Sequence, residues 1–290
     1  MEKQIRAMMI GAHPDDCDFR YGGIALKYAA LGHKVKFLAM VNGCGGHHEL
    51  KPAEIAARRK KETEAVAKMA GIEYDVWDIP DCELTADVET RKRLTGEIRK
   101  FNPDIIFCCR PNDYHADHRN ASLLVQDASY LLIVPNFCPE VPAMKKMPVI
   151  MFFSDRFKNP PFVPDVIVPI DEVLDKKYEM YNCHVSQVYE WLPYTHGELD
   201  RVPTGEAERM EWYRGPRIPR DRVLTLEELT PYKTQNHSEY SEALDAAKFR
   251  DLLIRQYGEA GKHFLFAEAF QLSEYGTPLD AENIKTLFPF

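Results

Sequence analysis

Short, almost wholly apolar runs alternate with longer stretches of helical periodicity through the first half of the chain. "IRAMMIGA" (residues 5–12), "KVKFLAMV" (34–41), "YDVWDI" (74–79) and "PDIIFCC" (103–109) read as strands. The last is apolar throughout, as in a strand buried on both faces of a parallel sheet. Between them "GGIALKYAALG", "AEIAARRKKETEAVAKMAG" and "DVETRKRLTGEIRKF" carry the spacing of amphipathic helices, and the first two close on glycine. A helix at "NASLLVQDASYLL" and strands at "MPVIMFF" and "PDVIVPI" continue the alternation, followed by a helix over 171–184. Repeated β-α units predict an α/β fold, a Rossmann-like and mostly parallel sheet with helices on both faces. From about 193 to 240 the pattern weakens into Pro, Arg, Glu and Tyr. One further amphipathic helix (241–258) and the run "FLFAEAFQLSEYG" follow. The expected organisation is a catalytic α/β domain over 1–190 and a C-terminal extension over 191–290 packed on it, as a pocket wall or as homo-oligomer contacts.

Each polar cluster falls where a strand ends. "AHPDD" follows the first strand, "NGCGGHH" the second and "RPNDYHADH" the "PDIIFCC" strand. In an open parallel sheet the loops beyond the strands' carboxyl ends share one edge, where ligands bind. Crowded carboxylates and imidazoles are costly there unless a cation compensates them. "HADH" sets His115 and His118 three apart at a helix start, so both rings can share a face. The positive end of the helix favours the neutral, metal-binding imidazole. His13, one aspartate of the Asp15–Asp16 pair, and one or both of His115 and His118 are therefore candidate ligands. Two imidazoles, a carboxylate and an open position for water describe a catalytic zinc site. The aspartate not spent on metal is available as a general base.

The order "AHPDD", a helix with "RKKE" ending in glycine, and "HADH" after a later strand resembles the LmbE-like/PIG-L family of metal-dependent N-deacetylases. The resemblance runs through the first ~130 residues and, more weakly, "CHVSQ" and "FAEAF". It implies a zinc-dependent amidase that removes acetyl from N-acetylglucosaminyl groups. By resemblance His13, Asp16 and His118 hold the metal, and Asp15 is the base. His115 stabilises the oxyanion, with Asp117 orienting its ring. Arg59 helps hold the sugar, with Glu62 its motif partner. Family members commonly carry Glu where this chain has Cys17. Beside these, His47 in the glycine-rich loop and His184 of "CHVSQ" are expected as substrate contacts, His47 lining the pocket and His184 reaching it from behind. Ferrous iron suits the same ligands as zinc.

The remaining numbers narrow the class. The formal charge of −8 disfavours nucleic acid or an anionic membrane as partner. No run approaches the length of a membrane span. The odd count of seven scattered cysteines fits no disulfide framework, so a cytoplasmic setting is expected. Two rival readings use the same residues. A non-haem iron oxygenase also has two histidines and a carboxylate, and a non-catalytic sugar- or metal-binding protein would use the same scaffold. A dinucleotide site is disfavoured, because the first β-α turn lacks G-x-G-x-x-G and its carboxylates would repel a pyrophosphate.

Overall fold

The computed structural model describes residues 3–233 and 239–290. One sheet of seven strands runs in the order β3-β2-β1-β4-β5-β7-β6. Its first five members are parallel: β1 (Arg6–Gly11), β2 (Lys34–Ala39), β3 (Glu73–Val76), β4 (Ile105–Cys108) and β5 (Val149–Phe153). Beyond β5 the sheet turns mixed, since β7 (Ala267–Leu272) runs antiparallel between β5 and β6 (Val166–Pro169). The sheet is thus α/β and mostly parallel, open and flanked by helices rather than rolled into a barrel. Alternate β1 residues point to opposite faces. Ala7 and Met9 enter one core with Tyr21, Phe37 and Phe107, while Met8 and Ile10 enter the other with Leu38, Leu94 and Leu124.

Five helices bear on the site: α1 (Asp16–Ala30), α2 (Pro52–Ala70), α3 (Val88–Phe101), α4 (Ala116–Leu131) and α5 (Leu174–Cys183). The first begins six residues before the expected start at 22. Asp15 is its N-cap, and Asp16 and Asp18 lie in its first turn, where the helix dipole favours negative charge. A cluster that reads as loop polarity is in fact the opening of a helix. The expected single helix over 241–258 is two, Tyr240–Lys248 and Arg250–Tyr257, broken at Phe249.

The C-terminal strand is fastened to α1 by buried charge. Glu268 on β7 accepts the N–H groups of Gly23 and Ile24, each at 2.8 Å, and the Lys177 ammonium at 2.7 Å. Lys177 also donates to Glu242 at 2.8 Å. A Cβ on Gly23 would meet the Glu268 carboxylate at 2.6 Å, so the close approach requires glycine there. Within the segment 193–240 some of the aromatic and arginine residues turn inward, while Tyr194 stays exposed. Tyr213 packs with Tyr178, Tyr181 and Tyr189, Arg214 pairs with Asp175, and Arg209 lies over Tyr189. Positions 234–238 of that segment lie outside the described residues. Among the described residues no helix is long and apolar enough to cross a membrane.

Candidate metal centre

The strand order reverses at β1, whose neighbours are β2 on one side and β4 on the other. Loops leaving β1 and β4 diverge there and open a crevice at the carboxyl edge. His13 leaves the end of β1, Asp16 opens α1, and His118 stands in the first turn of α4. These residues meet although 105 positions separate the two histidines. His13 Nδ1 lies 3.1 Å from His118 Nε2, and Asp16 Oδ2 lies 3.5 Å from the first and 3.3 Å from the second. Three donors around a tetrahedral zinc stand about 3.3 Å apart, given metal–ligand distances near 2.0–2.1 Å. The donor atoms fit such an ion. His115 brings a ring nitrogen within 4.8 Å of the nitrogens of His13 and His118, so the histidines alone also form a group able to hold a metal.

Local structure fixes each donor. Asp16 Oδ2 accepts the N–H groups of Ala12 (2.9 Å) and His13 (2.8 Å), which locks its carboxylate over the start of α1. Burial opposes its charge, but His118 and His13 outweigh burial and hold the carboxyl well below its usual range. His13 turns Nε2 towards Asp117 Oδ2 at 3.3 Å, and His118 turns Nδ1 towards Asp113 Oδ1 at 3.0 Å. Each ring is thus held from behind by a carboxylate, the arrangement that orients metal-binding imidazoles. Burial would lower both rings' pKa. Asp117 and Asp16 overcome it at His13 and raise that ring to about 9. Asp16 and Asp113 do the same at His118, raising it to about 10.

Asp117 was expected to orient His115, and the structure assigns it elsewhere. Its carboxylate is 3.8 Å from His115 Nδ1, too far for a hydrogen bond, and serves His13 instead. His115 is the N-cap of α4, and its Nδ1 accepts the Asp117 N–H at 3.1 Å. Burial, then repulsion from His13 and His118, lowers the pKa of His115. With Nδ1 accepting, the neutral ring carries its proton on Nε2 and offers that N–H as a donor.

Asp15 faces away from its neighbour, with Oδ1 3.0 Å from the Arg59 guanidinium. Arg59 is only 2% exposed and also reaches the Gly43 carbonyl at 3.5 Å. The structure therefore sets this arginine on Asp15, where the resemblance implies a hold on sugar. Gly43 has φ +75, and a Cβ there would meet Arg59 at 2.5 Å, so the loop must be glycine to pass it. Glu62 accepts the Ser186 N–H (2.8 Å) and hydroxyl (2.7 Å), and Gln187 donates to Gly46 O at 3.0 Å. "CHVSQ" is thus a clasp between α2 and the glycine loop.

The two expected substrate contacts are both engaged within the protein. His47 has both nitrogens engaged: Nε2 lies 2.8 Å from Glu190, and Nδ1 accepts the N–H groups of Glu49 and Leu50. His184 is fully buried against Asp18, its Nε2 at 3.2 Å, so no ligand reaches it. Cys17 is also buried, its thiol donating to Met9 O at 3.4 Å beneath β1 rather than facing the site. A cavity of about 270 Å³, lined by Phe19, Arg20, Ser154 and Asp245, adjoins α1 one turn beyond Asp16 but includes none of the metal-centre residues. The clustered imidazole and carboxylate donors lie in the crevice, outside that cavity.

The sequence reading gave Asp113 no role at the metal, although "DYHADH" places it five residues before His118. Changing Asp113 or Asp117 to Asn is expected to weaken cation binding by about 10–100-fold, the usual effect of losing such a support. Metal titration of the purified variants measures it, and unchanged affinity in both would remove them from the site.

Residues 8–129 match the model of the PIG-L family, described as GlcNAc-PI de-N-acetylase. They form a PIG-L domain. Its first and last motifs, "AHPDD" and "HADH", are the ones that meet in the crevice. Among curated proteins the chain is 27% identical over 206 residues to a 4-oxalmesaconate hydratase of Pseudomonas putida, covering 68% of this chain and 80% of the relative. It is 28% identical over 205 residues to a diacetylchitobiose deacetylase of Thermococcus kodakarensis, covering 65% and 74%. Solved structures extend the likeness beyond the PIG-L domain. The N,N'-diacetylchitobiose deacetylase of Pyrococcus horikoshii superposes with a TM-score of 0.62 at 23% identity, over 92% of this chain and 83% of that one. GalB, the 4-carboxy-2-hydroxymuconate hydratase of Pseudomonas putida, gives 0.65 at 21%, over 94% and 98%.

Proposed function

We propose that the chain is a zinc-dependent hydrolase that removes the N-acetyl group from an N-acetylglucosaminyl-type sugar or glycoconjugate. The observation that carries this reading is the mutual spacing of His13 Nδ1, Asp16 Oδ2 and His118 Nε2 at 3.1–3.5 Å, with a second carboxylate next in sequence held apart by Arg59. When bound, zinc supplies Lewis acidity and lowers the pKa of water towards ~7. Asp15 takes the proton from the attacking water and returns it to the leaving amine. Arg59 fixes the direction of Asp15. His115 donates its Nε2–H to the oxygen that becomes negative in the tetrahedral transition state, a contact worth a few kcal/mol in water-excluded sites. Asp113 and Asp117 hold the ligand imidazoles in place. Acetate leaves, and the amine remains on the sugar. All seven cysteines are free, which supports a reducing compartment such as the cytoplasm.

The relative from Pseudomonas putida, described as a hydratase, favours a second reading. Activated water would then add across a carbon–carbon double bond of an unsaturated polycarboxylate. The two reactions separate cleanly by product. Zinc-loaded protein is offered a panel of N-acetyl sugars and, separately, conjugated unsaturated polycarboxylates. Free amine appearing with acetate in equal amount supports the deacetylase. Loss of conjugated ultraviolet absorbance without acetate supports the hydratase and overturns the first reading.

A further inference from the structure

Cys82 belongs to no motif, yet the loop after β3 carries it to the mouth of the crevice. The residue is exposed and holds φ at +66, a left-handed conformation uncommon outside glycine. That turn aims its N–H at Asp117 Oδ2, 2.7 Å away. One donor each from Cys82, His115 and Asp117 lies within 4.8 Å of the other two. The Asp117 side chain is fully buried. Its Oδ2 serves Cys82 and His13, while its Oδ1 has no hydrogen-bond partner among the described residues. A buried carboxylate oxygen without a donor is costly, and a cation would satisfy it.

We propose that Cys82, His115 and Asp117 form a second divalent-cation site, and that zinc or cadmium in excess binds there and inhibits the enzyme. Thiolate, imidazole and carboxylate suit borderline and soft ions, whereas magnesium and calcium take oxygen ligands. On binding, the thiol gives its proton to solvent and the sulfur bonds the cation, with no change of oxidation state. The ion occupies His115, the donor to the developing oxyanion, and places a second positive charge beside the first. Inhibition rests on the hydrolase reading; binding at this site does not.

Protein holding one equivalent of zinc is titrated with cadmium or cobalt(II) while near-ultraviolet thiolate-to-metal absorbance and rate are followed together. The second equivalent should bring in the charge-transfer band as the rate falls. Cys82→Ser should retain the first equivalent and the basal rate and lose the band. It should also need roughly tenfold or more zinc for half-inhibition, at least the loss seen when a supporting group is removed. Cys44→Ser, on the neighbouring glycine loop, should keep band and inhibition. A band and inhibition unchanged in Cys82→Ser overturn the site. A Cys82-dependent band in protein that hydrolyses no acetamide leaves the site standing and removes the hydrolase reading.

Discussion

Asp15→Asn is expected to lower kcat by about 10²–10⁴-fold, the usual scale for a general acid–base group, while the cation content stays at one per chain. Asp15 and Asp16 are chemically identical neighbours, and the start of α1 separates them. Asp16 is tied by the N–H groups of Ala12 and His13 and faces both imidazoles, whereas Asp15 faces Arg59. An asparagine at 15 keeps the shape and removes the proton acceptor. Asp16→Asn should instead empty the site, since it removes the one anionic donor between His13 and His118. Metal content by atomic absorption alongside kcat decides between them. Loss of metal in Asp15→Asn with retention in Asp16→Asn would reverse the two roles.

Cation binding is expected to release at least one proton near neutral pH, and the affinity to rise with pH by about tenfold per unit for each proton released. In the metal-free protein the surrounding carboxylates raise His13 to about 9 and His118 to about 10, from an ordinary 6.5. A raised imidazole pKa means the charged ring stabilises the folded state. That stabilisation is fully present below about 6.5 and is lost as pH climbs through 9 and 10. The cation requires the neutral rings, so it competes with these protons and binds more tightly as they leave. The 3.1 Å between His13 Nδ1 and His118 Nε2 leaves room for one proton on the facing pair, which sets the lower limit. Calorimetric titration in buffers of different ionisation enthalpy counts the protons. An affinity flat across the neutral range with no proton release would place the cation on other ligands.

The motifs that meet in the crevice were legible because they sit at strand ends and a parallel sheet gathers strand ends on one edge. His13, Asp16 and His118 could be nominated from that logic joined to the family resemblance. Residues whose role depends on direction could not. Asp117 looks like the support of its near neighbour His115, but helix geometry turns its carboxylate across the crevice to His13. His47 and His184 look like pocket residues, but Glu190 and Asp18 engage them from segments distant in sequence. Cys82 carried no signal, because it reaches Asp117 through a loop with no periodic pattern.

By itself the sequence determined the alternation of strands and helices, since side-chain periodicity is a local property of each segment. It determined the residue types available at each strand end, and hence a site of imidazoles and carboxylates suited to a divalent cation. Tertiary structure alone decided which aspartate faces the cation site and which faces Arg59. It alone placed β7, nearly the last element of the chain, inside the sheet between β5 and β6. The physical reason is common to both. Pairing of charges and of strands depends on distance in space, and contacts such as Gly23 with Glu268, 245 residues apart, exist only once the chain has packed.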